Sequence, residues 1–569
     1  MDLVISRRIC PGEIADASLH PVLRRAYASR GVRDRGELAL TLDRLMPVGT
    51  LDGVDAAVQL ILAHRQRRIL VIGDFDADGA TSTALIVRCL SAWGFASVDF
   101  LVPNRFEFGY GLTPEIVALA VGRAPSLIVT VDNGISSNAG VAAARERGIQ
   151  VLVTDHHLPG AVLPDADVIV NPNVPGSRFG SKALAGVGVA FYVMAAVRRA
   201  LDARGQPAMP PVTDFLDLVA LGTVADLVPL DVNNRVLVSQ GIRRIRAGRA
   251  VPGIRALLSI GNRSVPAVTA ADLGFAIGPR LNAAGRLDDM SIGIRCLLAE
   301  TDSEALALAT RLDQLNSERR EIEQRMQGAA LAAVSHLRDS AAHGPTRQGV
   351  CLFDADWHQG VVGLVASRIK DRIRRPVIAF ARAGDGLLRG SARSVPGIHI
   401  RDVLDGMATR HPDLISRFGG HAMAAGLTLE EARLDDFAQA FDEEVARWRD
   451  PGVPANRVET DGELSSEEIA LETAQAVREG GPWGQAFPEP CFDGVFAVKN
   501  ARVVGEKHLK MWVTSGDGAR SFDAIAFNFK GADEDPPLPD GDVRLVYRLD
   551  INEYKGERRL QLLVDHVLP

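Results

Sequence analysis

The sequence of 569 residues predicts an α/β protein in several parts: a parallel-sheet domain, a long helix, a second α/β domain and a terminal β-barrel. Three patterns predict this. Short β-branched runs alternate with helical stretches from residue 51 to about 300. Apolar residues then recur at three- and four-residue steps over 303–338. After 457, strand-like runs alternate with Gly/Asp turns.

The length exceeds what one hydrophobic core serves, so several domains are expected. Residues 1–50 read as a segment of short helices. The domain over 51–300 rests on four runs, Ile69–Ile72, Leu127–Val131, Val151–Val153 and Val168–Val170, separated by helical stretches such as 80–92 and 114–121. Strand–helix alternation implies a mostly parallel sheet with helices on both faces. In 301–342, Leu308, Leu312, Leu315, Ile322, Met326 and Leu337 sit on a helical repeat. A helix over 303–338 would run ~54 Å at 1.5 Å per residue, long enough to be a strut between domains. A second α/β domain follows at 343–450. The chain closes with a barrel over 451–569, built from runs around Val495–Val498, Met511–Thr514, Ala524–Phe527 and Arg544–Tyr547.

A hydrophobic fraction of 47% excludes a mainly disordered chain. No apolar run is long enough to span a bilayer, and the first residues lack the apolar stretch of a signal peptide. Five scattered cysteines without a CxxC pair argue against a disulfide framework or a zinc site and fit a reducing cytoplasm. The net charge of −7 does not advertise a nucleic-acid binder. Acidic totals conceal basic faces, however, and residues 361–420 carry eleven Lys/Arg against five Asp. On charge alone, a binding face and an ordinary solvated face stay equally open.

Three polar clusters follow predicted strands directly: Gly73-Asp74-Phe75-Asp76-Ala77-Asp78-Gly79, Asp132-Asn133-Gly134 and Asp155-His156-His157. A fourth acid, Asp226, follows the helical run Phe215–Leu221. Taken singly, these are a calcium-type loop, a turn and a helix cap. Taken together they occupy one location, because ligands of open α/β sheets sit beyond the carboxyl ends of the strands. So many carboxylates in one crevice repel one another unless cations intervene. Asp and His without Cys suit Mn²⁺ or Mg²⁺. A carboxylate shared by two such ions, for which Asp132 is the candidate, builds the clamp used for in-line displacement at phosphorus.

In this order, GDFDADG, DNG, DHH and GTVAD resemble the signature motifs of the DHH phosphoesterases. Other segments resemble the RecJ branch of that family: Val102–Arg105 with Gly109–Leu112, Gly278–Arg286, Trp357–Gly363, Gly390–Arg393 and Gly419–His421. The resemblance covers roughly the whole chain, least securely residues 1–50. It implies a DHH domain, a DHH-associated domain and an OB-fold, with 5′→3′ exonuclease activity on single-stranded DNA in recombination and repair.

The resemblance also implies site residues. Asp74, Asp76, Asp78, Asp132, Asp155, His156 and Asp226 become the ligands of two divalent ions. Asp132, His156 and His157 become catalytic, with His157 facing the scissile phosphate. Arg280 and Asn282 would grip phosphates beside the metals. Arg105, Ser391, Arg393 and His421 would hold the 5′ end. For Arg280 and Arg393 an interdomain salt bridge is the competing reading. A single-strand binding protein and a RecQ-type helicase are implied partners, and a monomer is expected. Two other readings stay open. One is a DHH phosphoesterase of small substrates, which would lack the OB-fold. The other is a catalytically dead scaffold, which would have lost acids that are all present here.

Overall fold

The structure, a computed structural model, describes residues 3–104, 107–206, 209–340, 347–448, 457–505, 507–529, 537–554 and 556–568. It begins with a strand where short helices are expected: β1 (Val4–Arg7) precedes the helix Pro21–Ala28.

The first large domain is built on β2 (Arg68–Gly73), β3 (Ser97–Leu101), β4 (Leu127–Val131), β5 (Gln150–Thr154) and β6 (Val168–Val170). They form one all-parallel sheet in the order β3-β2-β4-β5-β6. β4 is buried along its whole length, as are β2 and β5 beyond their first residue. Helices therefore cover both faces, which is why these runs are apolar without alternation. β3 was not legible, because it is a half-buried edge strand with Asp99 in its middle.

The long helix is continuous over Asp302–Ser340, 39 residues or ~58 Å. The second domain holds β7 (Val350–Phe353), β8 (Val377–Gly384), β9 (Leu387–Arg393), β10 (Arg417–Gly420) and β11 (Ala424–Glu430) in the order β10-β11-β9-β8-β7. Only the β7–β8 pair is parallel. After β12 (Arg457–Thr460), a closed barrel is formed by β13 (Phe492–Val504), β14 (His508–Ser515), β15 (Ser521–Ala526), β16 (Gly541–Tyr554) and β17 (Glu557–Leu568). Its core is Phe492, Phe496, Met511, Leu545 and Tyr547. Among the described residues, no single helix is long and apolar enough to cross a membrane.

The barrel region is tied to the start of the chain. β1 pairs in parallel with β12, Val4 opposite Arg457. Arg30 donates to both carboxylate oxygens of Asp461, with both side chains almost fully buried. The Tyr27 ring stacks on Trp483 and Phe487, and its hydroxyl donates to the Gly480 carbonyl at 2.7 Å. Val477 and Phe487 belong to the same hydrophobic core as the parallel sheet. Deleting residues 457–569 therefore strands a buried guanidinium and opens that core, and breaking one such buried pair costs roughly 3–5 kcal/mol. The truncated protein is expected to melt well below the full chain in calorimetry; equal melting temperatures would show the barrel to be an independent appendage.

Candidate metal centre and phosphate cleft

The three clusters lie where the sheet topology puts them, at the carboxyl ends of adjacent strands β2, β4 and β5. Asp76 caps the helix Ala77–Ala92 with one oxygen, accepting from the Asp78 and Gly79 amides at 3.0 Å. The adjacent turn is too tight for a side chain at Gly79, whose Cβ would come within 2.6 Å of the Asp74 backbone. Asp78 is buried and accepts from the Gly186 and Val187 amides, the first turn of the helix Gly186–Ala203. Asp132 takes a left-handed conformation (φ 60°) at the end of β4, a geometry Asp tolerates better than most residues. Gly186 faces it so closely that a Cβ there would fall 2.7–2.9 Å from the Asp132 side chain. Asp226 caps the carboxyl end of the helix Leu216–Ala225.

Three sets of donor atoms each converge within 4.8 Å: Asp74, Asp76 and Asp132; Asp78, His156 and Asp226; Asp132, His156 and His157. Asp132 and His156 each belong to two sets. His156 Nε2 lies 3.1 Å from Asp132 Oδ1 and 3.5 Å from Asp226 Oδ2. Both Asp132 Oδ1 and His156 Nε2 are buried without a hydrogen-bond partner. Two buried lone-pair donors facing one another are costly unless a cation joins them.

The electrostatics point the same way. Burial, with Asp76 beside it, pushes the Asp78 carboxyl up to about 7. Burial and the neighbouring carboxylates Asp78 and Asp76 hold Asp132 and Asp226 well above the ordinary range. Burial lowers His156 to about 4, the neutral form that ligates metals. Hard oxygens with imidazole nitrogens and no thiolate fit Mn²⁺ or Mg²⁺.

Asp155 is at the centre but in none of the three sets. Its Oδ1 accepts from the His156 and His157 amides and from His157 Nδ1 at 2.8 Å, and its Oδ2 from the Ile135 amide. The carboxylate is thereby spent on orienting His157. Although burial opposes it, that partnership raises His157 to about 9 and keeps Asp155 below the ordinary carboxylate range.

The second domain closes over this centre. His421, between β10 and β11, stacks on His157 with ring centroids 6.0 Å apart. A cleft of about 560 Å³ opens between the domains, lined by Asp76, Asn282, Arg286, Arg389, Ser391 and Arg393 among others. Asn282 accepts from the Ala77 amide and so braces the first motif. Arg393 Nη1 donates to Ser391 Oγ at 2.9 Å. Gly363 keeps their cradle open, since a Cβ there would meet Arg393 and Ser391 within 2.9 Å. Arg280 is placed differently from a phosphate grip: it is 9% exposed and pairs with Asp313 of the long helix at 2.9 Å. This pair lies within the first domain, whose core includes Leu281, Leu312 and Leu315, and is not an interdomain bridge. Arg105 lies outside the described residues.

Several cleft residues escaped the sequence reading. Arg389 shares a face of β9 with Ser391 and Arg393, an i, i+2, i+4 pattern visible in Arg389-Gly390-Ser391-Ala392-Arg393. Arg286 stands in the segment Gly278–Arg286 already singled out. Arg417, Phe418, Phe75 and Tyr110 also line the cleft, and the Tyr110 hydroxyl donates to the Asp132 carbonyl at 3.1 Å. Phe75 and Tyr110 stand inside segments already singled out, Gly73–Gly79 and Gly109–Leu112, whereas no local signal marked Arg417 and Phe418. On the barrel, Trp512 and Phe527 are exposed, whereas Phe496, Phe522 and Tyr547 are core.

The chain matches three family models: "DHH family, N-terminal domain" over residues 68–223, "DHHA1 domain" over 347–447 and "RecJ OB domain" over 460–566. It is 54% identical to the "Single-stranded-DNA-specific exonuclease RecJ" of Salmonella typhimurium (strain LT2), covering 97% of this chain and 96% of that one. The chain belongs to the RecJ family. Among solved structures, it is similar to the crystal structure of RecJ in complex with Mn²⁺ from Thermus thermophilus. That match has a TM-score of 0.78 and 29% identity and covers 99% of this chain and 80% of that one. The Mg²⁺ complex from the same organism gives 0.73 and 27%, covering 99% and 78%. The chain thus shares with the RecJ family all three recognisable domains, including the barrel that a small-substrate DHH phosphoesterase would lack.

Proposed function

We propose that this chain is a divalent-metal-dependent exonuclease that hydrolyses the phosphodiester bonds of single-stranded DNA from the 5′ end. Its setting is cytoplasmic DNA recombination and repair, as a monomer working beside a single-strand binding protein and a RecQ-type helicase. The observation that carries the reading is the junction of two features. Donor sets sharing Asp132 and His156 sit at the strand ends, and an arginine-lined cleft meets them at Asp76 and Asn282.

Asp74, Asp76, Asp78, Asp132, His156 and Asp226 would hold two ions, with Asp132 between them. Bound there, Mn²⁺ or Mg²⁺ supplies an activated water and charge stabilisation for the leaving oxygen. The chain's own groups do the rest. Asp155 fixes the angle of the His157 ring and favours its protonated form, whose Nε2–H is left to donate to a phosphate oxygen. Arg393, Ser391 and His421, with Arg389 and Arg417, receive the terminal phosphate, and guanidinium forks suit its oxygens. Asn282 positions the first motif, and Arg280 anchors its own helix to the long strut. Trp512 and Phe527 offer bases a stacking surface on the barrel. The test is digestion of labelled single- and double-stranded DNA with each end blocked in turn, with and without Mn²⁺. Loss of single strands only when the 5′ end is open is expected; equal degradation of duplex would overturn the reading.

The end pocket makes a separate prediction. Removing one charge-assisted phosphate contact costs about 1.5–3 kcal/mol, or roughly one to two decades in affinity. Arg393→Ala is expected to lose most of its preference for 5′-phosphorylated over 5′-hydroxyl strands while still cutting both at high enzyme concentration. An equal loss on both substrates with a lower melting temperature would make Arg393 structural.

A further inference from the structure

A second and larger groove, of about 1210 Å³, runs between the N-terminal segment and residues 476–489 on one side and the helices Leu216–Ala225 and Val232–Arg246 on the other. Six arginines line it, among them Arg35, Arg243, Arg246 and Arg478, against the two glutamates Glu479 and Glu489. Arg35, Arg478 and Arg548 are paired with Asp16, Glu553 and Glu489/Asp565, and Arg235 is buried over the Phe487 ring, so the positive character of the groove centres on Arg243 and Arg246.

Two apolar side chains stand in this basic groove. Phe275 is 78% exposed, the most exposed aromatic side chain among the described residues, and Leu227 is 71% exposed. Neither position is an accident of a loose loop. Phe275 sits in a π-helical turn, Leu273–Ile277, a form that recurs at functional sites. That turn packs on the helix Leu216–Ala225, since a Cβ on Gly274 would lie 3.2 Å from Val224. Leu227 directly follows Asp226 and is held in the left-handed region (φ 58°), unusual for a leucine. The groove wall therefore reaches the chain position next to a metal-site carboxylate.

We infer that Phe275 and Leu227 form an apolar grip on the unpaired bases of a polyanionic strand whose phosphates face the arginines of this groove. The grip deepens the function proposed above and rests on it. Every base has a π-face, so stacking on Phe275 is independent of sequence but requires bases that are not already paired. The groove thereby selects single strands by chemistry as well as by width. The arginines attract any polyanion; the aromatic and leucine distinguish a strand with free bases from a duplex or an acidic polypeptide.

The experiment is fluorescence anisotropy of a long labelled single strand with the full-length protein in EDTA, so that the strand stays intact. Phe275→Ala is expected to bind roughly tenfold more weakly, within the usual range for one base–aromatic contact. Phe275→Trp is expected to bind like the parent, and because the side chain is exposed both variants should melt with it. A walk of single abasic sites along the strand identifies the gripped base. Wild-type protein should lose affinity at one position, and Phe275→Ala should be indifferent there. Binding of Phe275→Ala within twofold of wild type, or an unchanged abasic profile, overturns the grip. Hydrolysis of the same strand by wild-type protein in Mn²⁺ separates the two readings. With hydrolysis intact, only the grip falls; without hydrolysis, the proposed function falls and the grip with it.

Discussion

Asp132→Asn is expected to abolish hydrolysis and, at the same time, to make the metal-free protein harder to melt. The side chain is 2% exposed, and its Oδ1 has no hydrogen-bond partner. Around it stand Asp74, Asp76, Asp78 and Asp226. Without a cation each added negative charge there opposes the others, so removing one relieves the fold. Asn also tolerates the left-handed backbone at this position, which Ala would strain. Losing the carboxylate shared by two donor sets should lower the rate roughly a thousandfold or more. In EDTA the melting temperature should rise by a few degrees, and the further rise that Mn²⁺ gives the wild type should shrink. Full activity in saturating Mn²⁺ would remove Asp132 from the metal centre. A lower melting temperature in EDTA would show that the acidic cluster is not under electrostatic load.

Gly285→Ala has the second largest expected effect, and it acts from outside the metal ligands. A Cβ on Gly285 would lie 1.8 Å from the Phe75 carbonyl oxygen. Phe75 separates Asp74 from Asp76, and a backbone carbonyl has no rotamer with which to escape. Overpacking of this kind costs about 3 kcal/mol when nothing can rotate away. The collision pushes the first motif away from Asp132, so metal affinity, measured by Mn²⁺ titration, should fall along with the melting temperature. Gly328→Ala is the contrast. It lies on the long helix with nothing within 4 Å of its Cβ, and should stabilise by up to about 1 kcal/mol. If both substitutions behave alike, the contact between Gly285 and Phe75 is not what seats the first motif.

The difference between these two glycines also shows what the sequence discloses. Strands with both faces covered declare themselves as continuous apolar runs, so β2, β4 and β5 were legible, and the polar clusters beyond their ends with them. The long helix was legible because its repeat runs without a proline or a cap. The edge strand β3, which carries Asp99, was not, and neither was β17, which opens on Glu557-Arg558-Arg559. At the site, residue type announced the acids and histidines, but allocation depends on partners in space. Asp155 orients a histidine because four donors converge on it, and Arg280 is committed to Asp313, 33 residues away. Arg417 comes to the cleft only through the packing of one domain on another. Nothing in the sequence around Phe275 marks it as exposed; its exposure is set by the fold.

The pairing of β1 with β12 sets an order of events at the ribosome. Val4 leaves the exit tunnel long before its partner Arg457 has been made. At ~5–20 residues per second, the first strand and the Tyr27 ring wait on the order of half a minute or more for β12, Trp483 and Phe487. During that interval the parallel sheet can assemble from residues already made, but the N-terminal segment has nothing to seal it. A nascent chain arrested before residue 457 should therefore remain sensitive to proteases at its beginning, whereas one arrested after the barrel should not. Maturation of this enzyme begins in the middle of the chain, and its first residues are among the last to be protected.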